Sequence, residues 1–332
     1  MRKIIPVLAS AALVLAGCAQ AEKKADAQGL NVIASFYPLE YLSQKIGGDK
    51  VSVTSLTPKG GHSHDLEIAP ADVAKLSSAD LVVYLSGFQP SVDKAVEETS
   101  PKNVYDAAAD ANLVEASAHT VEQVDIPGID GDHEGHDHES HDHEGHDHEG
   151  HDHDHESHDH GGKDPHFWLD PARMAVVTTK LGDAFAKADP SNADTYQANA
   201  KKLAEELTAL EDEYKQGLAT CERDTIVVSH SAYGYLTEDF HIHQVGMAGV
   251  DPEAEPAPAT LAAIKKVMAD KNITTIFTEH LINPKAAEQF AQETGAKTAV
   301  LDPIENQNDE AKDYQVIMRD NLEALRTALE CK

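Results

Sequence analysis

The amino-acid sequence predicts an α/β protein with two lobes, each containing a mostly parallel sheet flanked by helices, joined by one long helix. Short apolar, β-branched segments alternate with segments of helical periodicity, first after Leu30 and again after about Thr225. Such alternation is typical of βα units on a parallel sheet. Between the two series lies a helical pattern that is about 40 Å long at about 1.5 Å per residue, enough to cross a domain. The length of 332 residues is sufficient for about two domains.

The first lobe is expected at residues 30–190 and begins with three βα units. Its predicted strands are NVIASF, VSVTSLT and LVVYLSG, and its predicted helices are PLEYLSQKIGG, PADVAKLSSA and PSVDKAVEET. The strand segments are apolar and rich in β-branched residues, and a pair of glycines ends the first helix.

The alternation stops at about Ala116 and resumes after Lys163. This insertion has low complexity and no apolar periodicity, so we expect it to be disordered without a ligand. Residues 131–160 within it, the His-rich tract, contain twelve histidines, twelve acidic residues and no basic residue. The histidines of the tract are His133, His136, His138, His141, His143, His146, His148, His151, His153, His155, His158 and His160.

Two interpretations of the His-rich tract are open. Its imidazoles and carboxylates can bind a divalent ion in many equivalent combinations. Each binding event must order the flexible chain, so the conformational entropy that is lost should make the affinity weaker than that of a preorganised site. A tethered tract also raises the local zinc concentration beside a stronger site, which favours accessory zinc capture, buffering or sensing. The alternative is a tolerated low-complexity insertion.

After the insertion the pattern predicts two helices and then the second lobe, at residues 220–332. The first helix runs from about Pro171 to Ala188, and Ser191 is the predicted N-cap of the long linking helix at residues 191–219. The predicted strands of the second lobe are TIVVSH, HIHQVGM, ITTIFTE and KTAVLDP, and its helices are SAYGYLTEDF, PATLAAIKKVMADKN, NPKAAEQFAQETG and a final helix ending at Leu329. Two α/β lobes suggest a ligand held in the cleft between them.

The N-terminal segment has the features of an export signal. Arg2 and Lys3 precede the apolar run IIPVLASAALVLAG, which is too short for a membrane span of about 20 residues. The sequence LAGC at its end resembles a bacterial lipobox. We therefore expect a signal peptide at residues 1–17, lipidation of Cys18, a flexible tether at residues 18–29 and an extracytoplasmic, lipid-anchored location on the bacterial membrane. A plain signal peptide with an incidental cysteine is the alternative.

Two cysteines remain after Cys18, at Cys221 and Cys331. Exported proteins meet an oxidising compartment, so the pair predicts one disulfide. Free thiols are the alternative, because the sequence does not fix the distance between the two Cα atoms. The formal net charge of −31 argues against nucleic acids or anionic membrane surfaces as partners.

Several candidate metal ligands follow predicted strands, where open α/β sheets bind their ligands. His64 follows VSVTSLT through a glycine loop, and His230 ends the strand TIVVS. The full set of candidates near strand ends or helix starts is His64, His166, His230, Glu279, His280, Asp302 and Glu305. Three imidazoles with one carboxylate make a site suited to a divalent transition ion, and Zn²⁺ in particular.

Four motifs resemble those of the metal-binding solute-binding proteins of ABC transporters. They are GGHSHDLEIAP, DPHFWLDP, VVSHSAYGYL and VLDPIE, in this order and spacing. The zinc-specific ZnuA-like or AdcA-like branch is the more similar one. The resemblance covers essentially the whole mature chain, and the run HFWLDP followed by SHSAYGYL is its specific signal.

By position, the resemblance implies that His64, His166 and His230 are the nitrogen ligands of the metal. Nitrogen at position 230 favours zinc, because manganese-binding relatives tend to carry a carboxylate there. The fourth ligand is left open between Asp302, Glu305 and water.

The remaining polar residues near these motifs receive lesser roles. Glu279 is expected to contact a metal ligand, and not the metal, and so to orient that ligand. His62 is expected to be a surface residue. His241 and His243 are expected to alternate on one strand and to be structural.

The resemblance implies a monomeric, non-enzymatic zinc receptor without catalytic residues, which delivers Zn²⁺ to an ABC-type permease in the membrane. A manganese or iron receptor of the same family, a zinc-buffering lipoprotein and a zinc hydrolase are the alternatives. A hydrolase would need an open coordination position and a general base, and the sequence has no HExxH motif. The long helix predicts a modest rearrangement on release rather than wide closure. Because ligand imidazoles must be neutral, zinc affinity is expected to fall below about pH 6.5.

Overall fold

Two parallel four-stranded sheets form the body of the protein in a computed structural model, which describes residues 29–116, 162–252, 256–280 and 284–332. The strands are β1 (Leu30–Ala34), β2 (Val51–Ser55), β3 (Leu81–Tyr84), β4 (Val104–Asp106), β5 (Thr225–Val228), β6 (His243–Gly246), β7 (Thr275–Thr278) and β8 (Lys297–Val300). The α-helices are α1 (Tyr37–Gly47), α2 (Pro70–Ser78), α3 (Pro90–Thr99), α4 (Ala108–Ala111), α5 (Pro171–Ala188), α6 (Ala193–Gly217), α7 (Gly234–Glu238), α8 (Pro258–Asp270), α9 (Lys285–Thr294) and α10 (Tyr314–Leu329). This architecture confirms the predicted fold class. Within these ranges no helix combines the length and the apolar character needed to cross a membrane.

Both sheets have the same strand order, β2-β1-β3-β4 in the first and β6-β5-β7-β8 in the second. All neighbouring strands are parallel. In each sheet the chain moves from its first strand to one side and then crosses to the other. This reversal opens a crevice at the carboxyl ends of β1 and β5, the place where such sheets bind ligands.

Helices α5 and α6 pack along one another with a close backbone approach at Gly182. A Cβ atom at Gly182 would lie 2.4 Å from Cβ of Ala200. Helix α5 begins at Pro171 as predicted, and the Asp170 carboxylate accepts hydrogen bonds from two backbone amides of its first turn. Helix α6 has 25 residues and is therefore about 37 Å long.

The start of the long helix differs from the prediction. A 3₁₀ turn at Pro190–Asn192 comes first, and α6 begins only at Ala193. The Asp189 carboxylate accepts a hydrogen bond from the Ser191 amide at 3.1 Å. The prediction that Ser191 caps the long helix is therefore wrong, because Ser191 lies inside the turn that Asp189 caps.

The sequence pattern missed two short elements, β4 and α4. They have only three and four residues, too few to display the period of a strand or a helix. Asp106 ends β4, and its Oδ1 accepts a hydrogen bond from the backbone amide of Ala108, the first residue of α4, at 3.0 Å. The same oxygen accepts a second hydrogen bond from the backbone amide of Ser86 at 3.1 Å.

One hydrophobic core runs through both halves of the chain and includes buried residues of α1, α5, α6 and α10. The Trp168 indole donates a hydrogen bond to the Pro303 carbonyl at 2.7 Å, and the Tyr314 hydroxyl donates one to the Trp168 carbonyl at 2.5 Å. The residues between the two sheets are thus held by packing and by hydrogen bonds from both halves. The lobe boundaries expected at residues 190 and 219 stay predictions.

Cys221 and Cys331 form a disulfide, with an S–S distance of 1.99 Å across 110 residues of sequence, which confirms the predicted pairing. The bond joins the segment before β5 to the chain just after α10. Beside it, the Lys332 amide donates a hydrogen bond to the Thr220 carbonyl at 3.0 Å. The end of the chain is therefore fixed to the second sheet both covalently and by hydrogen bonding.

Candidate metal centre

Four side chains from four connecting segments converge in one buried group. His64 lies in the loop after β2, and His230 lies two residues beyond the end of β5. His166 precedes a 3₁₀ turn that leads into α5, and Glu305 lies between β8 and α10. These residues are 3, 0, 0 and 7% exposed for His64, His166, His230 and Glu305 respectively. The group therefore combines both halves of the chain in a site almost closed to water.

Four of the six separations within this group are close to those of a tetrahedral zinc site, and all four ligand atoms lie within 4.8 Å of one another. Nε2 of His166 lies 3.4 Å from Nε2 of His230. Oε1 of Glu305 lies 3.2, 3.6 and 3.5 Å from Nε2 of His64, His166 and His230 respectively. A tetrahedron with metal–ligand bonds of about 2.0–2.1 Å has edges of about 3.3–3.4 Å. Within the described part of the chain, no other group of three or more His, Cys, Asp or Glu residues could hold a metal ion.

The donor set consists of three imidazole nitrogens and one carboxylate oxygen. Zinc accepts these ligands readily in four-coordinate sites, whereas manganese and calcium prefer more oxygen ligands. Four protein ligands complete a tetrahedron, so a zinc ion held by all of them would keep no position open for water or a substrate.

Asp164 fixes the orientation of His166. Its Oδ1 accepts hydrogen bonds from Nδ1 of His166 at 2.7 Å and from the backbone amide of the same residue at 3.0 Å. Because a carboxylate only accepts, Nδ1 carries the proton and the Nε2 lone pair points toward the other ligands. The Tyr235 hydroxyl donates to the Asp164 carbonyl at 2.8 Å and so holds this segment against α7.

Glu279 plays the same part for His230. Its Oε1 accepts a hydrogen bond from Nδ1 of His230 at 2.6 Å and another from the Ser229 hydroxyl. Nε2 of His230 is thereby left as the metal-binding nitrogen. Glu279 is buried and follows β7 directly, so the ends of the neighbouring strands β5 and β7 supply the ligand and its support.

A strained turn directs Glu305 into the centre. Ile304 has a φ of 56°, a left-handed conformation that costs a β-branched residue about 1–3 kcal/mol. The Asp302 carboxylate accepts a hydrogen bond from the Ile304 amide at 2.8 Å and stabilises this turn. The Ser63 hydroxyl donates to the Glu305 carbonyl at 3.0 Å, so the loop that carries His64 also holds the turn.

The carboxylates shift the pKa values of the metal-free imidazoles upward. Burial, the largest single effect, opposes the protonated form of His230, but Glu279 and Glu305 together outweigh it and raise the pKa of His230 to about 10. Burial likewise opposes the charge on His166, and Asp164 raises its pKa above the ordinary value. Burial by itself would raise the pKa of Glu305, but the surrounding imidazoles, His64 first, hold it well below its usual range. In the absence of metal, protons therefore occupy part of the site.

The structure brings together His64, His166, His230 and Glu305, and it leaves Asp302 outside the group. Of the carboxylates considered for the fourth position, Glu305 thus has the geometry of a ligand, while Asp302 supports the turn. His62 and His280 are exposed. The His-rich tract and Cys18 lie outside the described residues.

Two other histidines differ from the expectation. His241 has a φ of 55° and lies before β6, which begins at His243. The two residues therefore do not alternate on one strand, and that prediction is wrong.

Asp164 is the site residue that the sequence reasoning missed. The signal was present in DPHFWLDP as a carboxylate two residues before a candidate ligand. That spacing lets Asp164 accept hydrogen bonds from both the backbone and the ring of His166.

Comparison with known proteins gives a consistent picture. Residues 32–328 match the family model described as ZnuA, zinc-uptake complex component A, periplasmic. The high-affinity zinc uptake system protein ZnuA of Bacillus subtilis (strain 168) is 33% identical, over 98% of this chain and 97% of its own length. The zinc-binding lipoprotein AdcA of Streptococcus pneumoniae serotype 4 is 31% identical over 98% of this chain, which spans 61% of the AdcA length.

Solved structures agree with the sequence comparisons. The crystal structure of Zn(II)-bound AdcA from Streptococcus pneumoniae superposes with a TM-score of 0.70 at 26% identity. The match covers 91% of this chain and 58% of that chain.

Proposed function

The chain belongs to the ZnuA family of zinc-uptake components, and from this premise we propose that it is an extracytoplasmic receptor that binds Zn²⁺ tightly and delivers it to an ABC-type permease. The observation that carries the proposal is the buried group of three imidazoles and one carboxylate, whose ligand atoms all lie within 4.8 Å of one another. Zinc is the cargo of such a receptor, so the protein holds and releases the ion without using it in a reaction.

The donor set favours zinc over manganese or iron(II) as the cargo. His230 supplies a nitrogen ligand at a position where a carboxylate oxygen would favour a harder ion such as Mn²⁺. Calorimetric titration with Zn²⁺ and with Mn²⁺ tests this choice, and tighter binding of Mn²⁺ would contradict it.

The same geometry argues against an enzyme. Zinc hydrolases keep one coordination position open and place a general base beside it. Here the four ligands complete the tetrahedron, and the two nearest further carboxylates, Asp164 and Glu279, already accept hydrogen bonds from ligand imidazoles. We infer that the protein binds zinc and does not catalyse a reaction.

Release of zinc requires the contacts between the two halves to loosen. The side-chain Nδ2 of Asn306 donates hydrogen bonds to the carbonyls of Pro58 and Gly61, both at 2.9 Å. These bonds, with that from Ser63 to the Glu305 carbonyl, tie the His64 loop to the Glu305 turn. We propose that the permease breaks these contacts, because the continuous core and the long α6 oppose a wide opening.

The N-terminal part of the chain and the His-rich tract complete the proposal. We propose that Cys18 is lipidated, that residues 18–29 tether the receptor to the membrane, and that the receptor acts as a monomer. The His-rich tract would collect zinc near the buried centre at lower affinity, as its composition suggests.

Zinc titration of the protein lacking residues 131–160 tests where the tight site lies. We expect this variant to bind one equivalent of zinc tightly, and we expect changing His64, His166 or His230 to Ala in the same background to weaken that binding strongly. Loss of all tight binding on deletion alone would instead favour a zinc-buffering lipoprotein. Tight stoichiometric binding in all three single variants would refute the buried centre.

A further inference from the structure

A narrow cavity beside the buried metal centre shares part of its lining with an open basin on the surface. The basin has a volume of about 610 Å³ and is lined in part by His280, Asp302 and Asn308. The same three residues line the narrow cavity of about 20 Å³, which also reaches Glu305 and Glu279. Its volume is close to that needed for one water molecule. Glu305 thus lines a cavity that shares these three residues with the basin.

The narrow cavity lies between the two halves of the chain. His62, from the loop that also carries His64, lines one side of it, and His280 and Asp302 line the other. Two imidazoles and the Asp302 carboxylate are thus among the residues that line it, together with prolines and asparagines. Imidazoles and carboxylates are the ligand types that a zinc ion exchanges for water as it loses its hydration shell.

The charges of the basin suit a cation. Asp302, Asp309 and Asp320 line it, against one cationic residue, Lys312. Lys312 forms an ion pair with Asp320 at 2.7 Å and also interacts electrostatically with Asp309 and Asp302. Three carboxylates therefore face one ammonium group, and the lining keeps a net negative charge. Clefts lined by one sign of charge concentrate ions of the opposite sign and raise their association rates.

Asp302 lies at the junction of the basin and the narrow cavity. One of its oxygens accepts the hydrogen bond from the Ile304 amide, and its carboxylate interacts electrostatically with His280. A carboxylate offers about four acceptor positions, so Asp302 can support the turn and still contact a passing cation. This gives Asp302 a place near the metal without making it the fourth ligand.

We propose that the narrow cavity is the route by which zinc reaches and leaves the buried centre, and that His280 and Asp302 form a transient cation station on it. The inference rests on the proposed zinc-binding function and adds a site outside the four ligands. The proposal predicts an effect on the rates of zinc binding and release. A station on the route changes the association and dissociation rates together, whereas a ligand of the final site changes the dissociation constant, mainly through the dissociation rate.

Trp168 provides the readout, because it is the only tryptophan and its ring centroid lies 5.1 Å from that of His166. The experiment follows Trp168 fluorescence by stopped flow, during mixing with Zn²⁺ and during removal of zinc by a chelator. The variants are Asp302→Asn and His280→Gln, which weaken the station, and Asn308→Phe, which narrows the route. His280 and Asn308 are exposed, so their variants keep the test valid even if Asp302→Asn folds poorly.

We expect each variant to slow zinc association and dissociation by about three- to tenfold. The dissociation constants of His280→Gln and Asn308→Phe, which change residues outside the Glu305 turn, should stay within about twofold of the wild type. Asp183→Asn serves as the matched control, because it removes one exposed carboxylate on α5 and lines a different cavity. Unchanged rates in all three variants would overturn the route. So would a weaker affinity caused by faster dissociation alone, or an equal slowing in the control. A wild-type protein without tight zinc binding would overturn the proposed function itself.

Discussion

At the scale of single residues, the candidate metal centre depends on two carboxylates outside the group of three imidazoles and Glu305. Asp164 and Glu279 each accept a hydrogen bond from Nδ1 of a ligand imidazole, at 2.7 and 2.6 Å. Each bond fixes the ring and leaves Nε2 as the donor atom. The ligand side chains therefore lose their conformational entropy during folding and not when zinc binds.

Changing Asp164 to Asn should weaken zinc binding by about 10- to 100-fold, because the neutral amide supports the ring of His166 less strongly than the carboxylate does. Competition against a chelator of known affinity measures the change. Asp183→Asn on the exposed face of α5 is the control and should shift the affinity less than about twofold. An unchanged affinity in Asp164→Asn would show that orientation of His166 does not depend on this hydrogen bond.

The neighbouring carboxylates Glu305 and Asp302 should respond differently to removal of their charge. We expect Glu305→Gln to weaken zinc binding at least about tenfold, which corresponds to about 1.4 kcal/mol, because a neutral amide is a poorer zinc ligand. Asp302→Asn should leave the equilibrium affinity within about twofold, since the amide oxygen can still accept from the Ile304 amide. Equilibrium titrations of the two variants compare them directly, and the opposite order of effects would assign the fourth ligand to Asp302.

At the scale of the elements, the packing of α5 against α6 is set by one glycine. We expect Gly182→Ala to lower the free energy of unfolding by about 1–3 kcal/mol, because its new Cβ would overlap Cβ of Ala200. Urea unfolding measures the change. In a double-mutant cycle, Ala200→Gly should relieve the overlap, so the double variant should be less destabilised than the sum of the two single variants. Simple additivity would contradict the contact.

The disulfide stabilises a different part of the structure. Replacing Cys221 and Cys331 by Ser should reduce the free energy of unfolding by about 2–5 kcal/mol, because the bond closes a long loop in the unfolded chain. Zinc affinity should stay within about twofold, since the bond joins the start of β5 while His230 follows its other end. Thermal unfolding and zinc titration of the same double variant test both statements. A large loss of affinity would show that the disulfide positions the ligands.

At the scale of the whole molecule, zinc held by the proposed group would join the two halves of the chain and displace protons. Carboxylates from both halves raise the pKa values of His166 and His230 in the metal-free protein, that of His230 to about 10. A histidine with a raised pKa keeps its proton up to a higher pH, and zinc must displace that proton. The fall in affinity that an ordinary imidazole would show only below about pH 6.5 should therefore extend through neutral pH.

We expect zinc binding at pH 7 to release about one proton or more and its affinity to rise as the pH increases from 6 to 8. Calorimetric titrations in two buffers with different ionisation enthalpies count the released protons. The His230→Ala variant in the same buffers is the control and should release fewer protons. Zero release by the wild type at pH 7 would mean that the imidazoles are already neutral.

The sequence by itself determined the fold class, the metal and most of the donor types. Alternation of apolar strands with helical segments predicts parallel sheets because strand and helix have different periods. Parallel strands end at one edge of their sheet, which is where ligands bind, so the histidines after β2 and β5 could be predicted to lie at the binding edges of the two sheets. The resemblance of the motifs then implied that these histidines share one metal site. The two cysteines remaining in an exported chain predicted the disulfide that is observed.

Only the tertiary structure decided which carboxylates serve the site and how. Asp302 and Glu305 follow the same strand, three residues apart, and no local pattern separates them. The left-handed turn at Ile304, held by Asp302 and by Ser63 of the other half, points Glu305 inward. Asp164 acquires its role through its contact with the ring of His166. Such roles depend on how side chains from segments distant in sequence are oriented toward one another. A residue pattern along the chain does not contain that information.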